Sequence, residues 1–118
     1  MQRTRVAVVG LGNVGRGAAE AIATSPDFEL AGIVRRRAEP GERVIGPTWE
    51  VPAVTRIDQL EGIQAALMCG PTRQLEPVEH ALLRSGISVV DTFDIHGDTL
   101  WNHRQVLAAS AVEGQATA

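Results

Sequence analysis

The sequence predicts an α/β fold, a doubly wound parallel sheet with helices on both faces that makes a three-layer α/β/α domain. Three observations point there. Short apolar runs alternate along the chain with stretches of helical periodicity. The first run, Val6-Ala7-Val8-Val9, is continuously apolar, as in a central parallel strand covered on both faces. A glycine-rich turn then joins that run directly to the first helical stretch. Strands separated by helices pair in parallel through right-handed crossovers.

Each element has a local reason. Val14 to Ala23 is Ala-rich and helical, and it stops before the breaker pair Ser25-Pro26. Phe28 to Val34 reads as the second strand. From about Arg37 to Val54 the chain holds three Pro and two Gly, so an irregular excursion is expected, followed by a short helical turn near Ile57–Leu60. Ala65 to Met68 is the third strand, ending at Cys69-Gly70-Pro71. Glu76 to Ser85 is the second helix, with Val78, Ala81 and Leu82 on one face and Gly86 closing it. Ser88 to Asp91 is the fourth strand, Thr99 to Val112 the third helix, and Gln115 to Ala118 the expected beginning of a fifth strand.

Composition bounds the function. A chain of 118 residues, 44% hydrophobic and 21% charged, suits one soluble domain with a single core. A net charge of −3 gives no basis for a nucleic-acid or anionic-membrane partner. No apolar run nears the roughly 20 residues that a membrane-spanning helix needs, and the N-terminus lacks the layout of a signal peptide. The single cysteine fits a reducing compartment, so a cytoplasmic location is expected. All 11 basic residues are Arg, and without Lys neither a Schiff base nor a Walker-type phosphate loop is available. The chain also lacks Tyr, which removes a Tyr–Lys acid pair. No metal site is expected.

Gly10-Leu11-Gly12-Asn13-Val14-Gly15 has the pattern G-x-G-x-x-G. Alone the pattern is weak, but between a buried strand and a helix it makes this a Rossmann-type dinucleotide-binding domain spanning residues 1–118. Gly10 permits the tight turn, Gly12 lets backbone approach a pyrophosphate, and Gly15 lets the helix pack on the strand. The free N–H groups at the helix start supply the anion site.

The end of the second strand decides between cofactors. An NAD-selective site places Asp or Glu there to accept from the ribose 2′-OH. Here Val34 leads into Arg35, Arg36 and Arg37, and the first carboxylate is Glu39. An acid would repel a 2′-phosphate, whereas guanidinium groups grip it and stack on adenine. NADP(H) is therefore expected, with Arg35 and Arg36 carrying the argument and Arg37 alone reading better as solvated surface.

The other strand ends should face the same ligand. Gly70 can bring backbone close to the nicotinamide half and Thr72 can donate or accept, while Cys69 reads as a small apolar residue rather than a nucleophile. The fourth strand delivers Asp91, Thr92, Phe93, Asp94 and His96, a dense polar group where an acid can hold a substrate ammonium or position a water. Asp98 reads as a helix cap, and His80 and His103 as surface positions within helices.

Four blocks in register now make the resemblance specific: Val6 to Arg16, Val34 to Arg37, Cys69-Gly70, and Val90 to His96, with His103-Arg104-Gln105 following. Together they resemble meso-diaminopimelate dehydrogenase, over the family's N-terminal cofactor domain only. The resemblance implies NADP-dependent oxidative deamination at the D-centre of the diamino acid, in which hydride passes to nicotinamide C4 and water hydrolyses the imine. It further implies that Leu11, Gly12, Asn13 and Val14 contact the pyrophosphate and that Arg35, Arg36 and Arg37 hold the adenosine phosphate. Cys69, Gly70, Pro71 and Thr72, with Thr92, Phe93 and Asp94, would line the other end of the cofactor. Asp94 would also reach the D-amino centre, as the one catalytic residue carried over.

Leu11 and Phe93 stand where the family often has Tyr. The family's remaining substrate residues and its dimerising, substrate-binding domain have no counterpart in these residues. The chain is accordingly expected to bind cofactor yet hardly turn over the amino acid, as a fragment or as one half of a split enzyme, with possible self-association. Two other readings share the glycine loop: a stand-alone NAD(P)-sensing module, and the cofactor domain of another two-domain reductase, of the dihydrodipicolinate reductase or sugar dehydrogenase kind. A sensor has no need of two acids and a His at the fourth strand end.

Overall fold

Every apolar run singled out above is a strand in the computed structural model, which describes residues 2–118. In chain order the elements are β1 (Thr4–Val9), α1 (Asn13–Thr24), β2 (Phe28–Val34), β3 (Arg43–Ile45), β4 (Glu50–Val54), a single 3-10 turn (Ile57–Gln59), β5 (Ala65–Met68), α2 (Thr72–Arg84), β6 (Ser88–Asp91) and α3 (Gly97–Gly114). One six-stranded sheet has the order β3-β4-β2-β1-β5-β6. All pairings are parallel except β3 with β4. This is a Rossmann-type sheet with an antiparallel edge.

The alternation of side chains along β1 divides the core. Val8 joins Ala19 of α1 with Leu30, Ile33, Val44 and Val51 on one face. Val9 joins Ala66, Met68, Leu82, Leu83 and Val89 on the other, beneath α2. Residues Val6 to Val9 are all buried, as a strand covered on both faces requires. Two apolar layers around one sheet make the three-layer domain.

The excursion between β2 and the 3-10 turn is not irregular. It forms a hairpin in which Arg43 faces Pro52 and Val44 faces Val51. Backbone bonds from Ala53 to Glu42 and from Gly46 to Trp49 lie on either side, so Pro52 occupies a position that donates nothing toward β3. Val44, Val51 and Ala53 bury the inner face. The indole N–H of Trp49 donates to Glu20 of α1 at 2.5 Å, fastening the hairpin to the first helix.

Three further expectations need correction. The second helix begins at Thr72, not Glu76, because Pro71 supplies its extended N-cap and Pro77 sits inside it. Val78, Ala81 and Leu82 do share one face of α2, which borders a groove, with Val78 and Ala81 exposed, while Glu79, Leu82 and Leu83 are its buried residues. Asp98 does not cap α3; the cap position is His96, without a side-chain bond. Gln115 to Ala118 form no strand: Gln115 takes a left-handed turn, and a lone backbone bond links the Val89 N–H to the Thr117 carbonyl.

His103 is also not a surface residue. It is 6% exposed, between α2 and β6, with Nδ1 3.3 Å from Glu76 and Nε2 3.4 Å from Asp91. His80 is half-buried beside it, and burial pushes its pKa down despite the neighbouring Glu76. Glu79 is fully buried against the same group. Desolvation, reinforced by the Asp91 and Glu76 carboxylates, pushes the Glu79 pKa up to about 9.

Candidate cofactor site

The parallel strands bring their carboxyl ends to one edge, where ligands of open α/β sheets bind. From β1 the chain runs through α1 to β2, β3 and β4 on one side, and then crosses to β5 and β6 on the other. The switch point therefore lies between the ends of β1 and β5, at Gly10 and Cys69-Gly70.

The glycine loop is fitted to that point by contact. Gly10 has φ +104°, and a Cβ there would meet the Cys69 carbonyl oxygen at 2.8 Å. A Cβ on Gly15 would lie 2.1 Å from the Gly10 carbonyl oxygen, so α1 can only start this close to β1 with glycine there. Gly12 differs: as the N-cap of α1 it has extended backbone, and nothing lies within 4 Å of its would-be Cβ. The first turn of α1 has no side-chain cap and no acidic residue. Open space before uncapped N–H groups is what an anionic pyrophosphate needs. Asn13 and Val14 stand exposed at this helix start.

A groove of about 1220 Å³ extends from the loop across the sheet edge, lined by Gly10, Leu11, Arg35, Arg36, Arg37, Gly70 and Pro71. Thr55, Arg56, Ile57, Gln74 and Leu75 line it too, none of which the sequence pointed to as part of the site. Its apolar floor includes Val9, Val34 and Leu82. The floor is open because a single 3-10 turn, rather than a helix, leads from β4 toward β5.

Arg35 also borders a second, polar pocket of about 320 Å³, together with Arg16, Glu42 and Arg43. Its guanidinium donates to Glu42 at 2.5 Å, and that bond holds the Glu42 carboxyl below its ordinary pKa. Arg36 and Arg37 are exposed on the turn closed by the Ala38 N–H to the Arg35 carbonyl. The second strand thus ends in three guanidinium groups, and the hairpin residue Glu42 is the carboxylate nearest in function to them.

The β5 and β6 ends are tied together. Thr92 bonds the Met68 carbonyl through its backbone N–H and its hydroxyl. The Asp94 N–H donates to the Thr72 hydroxyl at 3.1 Å, and the Phe93 N–H to Asp91 at 3.2 Å. The Phe93 ring packs into the core beside His103, at 6.1 Å between centroids. The His96 ring nitrogen Nε2 meets an Asp94 carboxylate oxygen, and both side chains are turned to solvent. Cys69 is half-buried, and desolvation raises its pKa, which suits the reading as a packing residue. Thr72, Thr92, Phe93 and Asp94 lie at the same sheet edge as the groove but outside its lining.

Residues 4–91 match the oxidoreductase family with an NAD-binding Rossmann fold. The meso-diaminopimelate D-dehydrogenase of Bacteroides fragilis is 38% identical over 97% of this chain and 38% of its own length. The solved diaminopimelate dehydrogenase of C. glutamicum in complex with DAP superposes with a TM-score of 0.77 at 29% identity, over 98% of this chain and 35% of that one. An engineered D-amino acid dehydrogenase bound to NADP+ gives a TM-score of 0.73 at 27% identity, with the same two coverages, 98% and 35%. The chain therefore spans about 38% of the length of the curated relative it matches at highest identity among these. No helix among the described residues is long and apolar enough to cross a membrane.

Proposed function

The chain belongs to the oxidoreductase family with an NAD-binding Rossmann fold, and we propose that it is the cofactor domain of a dehydrogenase of the meso-diaminopimelate type, selective for NADP(H). The observation that carries the cofactor choice is the end of β2. Arg35, Arg36 and Arg37 line one groove with Gly10 and Gly70, and the Glu42 carboxylate beside them is already engaged by Arg35. A ribose 2′-phosphate would meet guanidinium groups there, not a free acid.

In this reading Gly10, Leu11, Gly12, Asn13, Val14 and Gly15 hold the pyrophosphate, by backbone N–H groups at the start of α1. Arg35, Arg36 and Arg37 take the adenosine phosphate. Cys69, Gly70, Pro71 and Thr72, with Thr92, Phe93 and Asp94, shape the nicotinamide end. Bound nicotinamide supplies a hydride acceptor at C4. Asp94 acts toward the substrate: an exposed carboxylate at a strand end, with its backbone fixed by Thr72, is suited to hold the D-centre ammonium. The amino-acid substrate and the dimer contacts would come from a further domain, on this polypeptide or on a second chain. The greater length of the matching relatives supports that division.

Calorimetric titration with NADPH and NADH tests the proposal. NADPH should bind more tightly, and Arg36→Ala should remove the difference. Equal or tighter NADH binding by the unaltered protein would overturn the choice of cofactor.

A further inference from the structure

Away from the groove, α2, β6 and α3 enclose a buried polar group that cofactor binding does not use. Glu79 is fully buried, yet neither carboxylate oxygen has a hydrogen-bond partner among the described residues. As a charged carboxylate such a group costs several kcal/mol unless a proton or a cation compensates it. Around it stand Asp91, at the end of β6, and His103 of α3. One ligand atom from each of the three lies within 4.8 Å of the others.

The spacing is informative. His103 Nε2 is 3.4 Å from Asp91 Oδ2 and 4.0 Å from Glu79 Oε1. Both exceed a good N–H···O bond of about 2.9 Å, as does the 3.3 Å from Nδ1 to Glu76. Two ligands about 2.0–2.1 Å from a shared tetrahedral ion would stand about 3.3 Å apart. On the other side of the ring, Nδ1 lies 3.3 Å from Glu76. The tautomer that satisfies Glu76 carries its proton on Nδ1, leaving the Nε2 lone pair toward Asp91 and Glu79. A carboxylate behind a histidine whose other nitrogen is free is the outer-shell arrangement of metal-binding imidazoles. Charge also balances, because two carboxylates and a neutral imidazole cancel a dication in a buried place.

We propose that Glu79, Asp91 and His103 bind a divalent transition-metal ion of the zinc type, pinning α2 and α3 to the end of β6. One nitrogen and two carboxylate ligands suit zinc or cobalt better than the all-oxygen shells of calcium or magnesium. Asp91 gives the ion its entry path, since its side chain is 22% exposed. The ion would hold the strand end from which the segment carrying Asp94 departs.

The test uses untagged protein, stripped with a chelator and titrated with Zn2+ by calorimetry and with Co2+ by visible absorption. One ion per chain should bind, Co2+ should give the d–d bands of a low-coordinate site, and Zn2+ should raise the Tm. Glu79→Gln should weaken Zn2+ binding by about tenfold or more. If that variant does not fold, Asp91→Asn replaces it in the comparison. His96→Ala, at the exposed pair with Asp94, should leave binding unchanged. Absence of stoichiometric binding by the unaltered protein would overturn the proposal, as would binding that survives both Glu79→Gln and Asp91→Asn. In the first case Glu79 is compensated by a proton instead.

Discussion

The guanidinium of Arg35 is bound at 2.5 Å by the carboxylate of Glu42, a residue of the hairpin excursion rather than of the strand end where the arginine sits. The pair joins the cofactor groove to the smaller pocket behind it, because Arg35 lines both. It sets how much positive charge the groove shows.

Glu42→Gln should therefore strengthen NADPH binding a few-fold while leaving NADH nearly unchanged, since the amide keeps an acceptor for Arg35 but removes a charge that repels phosphate. Paired calorimetric titrations measure this. The pair also has a pH signature. Arg35 lowers the Glu42 pKa from 4.5, so the stabilisation is fully present above pH 4.5 and is lost as pH falls through the lowered folded value. The Tm difference between the unaltered protein and Glu42→Gln should be constant above pH 4.5 and close in stronger acid.

Glycines of the loop should fail in different ways. Gly15→Ala places a methyl 2.1 Å from the Gly10 carbonyl oxygen and should destabilise the fold by about 3 kcal/mol or more, read by urea unfolding. Gly12→Ala meets nothing within 4 Å in the free protein. Its Tm should hardly move, while dinucleotide affinity falls sharply.

The Cys69 thiol should react slowly. Burial pushes its pKa up, so its thiolate fraction near pH 8 lies below that of a free cysteine. Disulfide-reagent labelling of the folded protein should lag that of the urea-unfolded chain by more than tenfold at this pH, and bound dinucleotide should slow it further. Labelling at the unfolded rate would contradict the packing seen beside Gly10.

Leu83 is fully buried where α3 crosses α2, and a Cβ on Gly114 would lie 1.7 Å from the Leu83 carbonyl oxygen. Leu83→Ala should cost about 2–5 kcal/mol by lost burial and cavity formation. Gly114→Ala should cost a comparable amount for the opposite reason, since the helices must separate. Urea midpoints at constant slope check both.

The sequence made four of the parallel strands legible, β1, β2, β5 and β6, because each is short and largely apolar; β2, β5 and β6 lie where the pattern puts them. The hairpin was not legible. Pro47 and Pro52 read as disorder of pattern, whereas Val51 and Ala53 alternate toward the core and Pro52 needs no bond on its β3 side. The burial of His103 was not legible because α3 places it against two other elements, α2 and β6, which no local window contains. The glycine loop and the arginines were legible because their chemistry is local. Glu42 and the groove residues Thr55 and Gln74 were not, because they join the site only through the fold.

The two halves of the groove differ in what ties them down, and evolution should feel the difference. The loop residues Gly10 and Gly15 are locked against each other and against Cys69 by atoms of the main chain. Substitutions there should fail at folding before any question of ligand arises. Arg35, Arg36, Arg37 and Glu42 sit on a turn and an edge hairpin, outside both core layers. If the rim selects the nucleotide as proposed, descendants of such a domain could exchange one nicotinamide nucleotide for the other by drift there, while the glycine loop stays fixed by the need to fold.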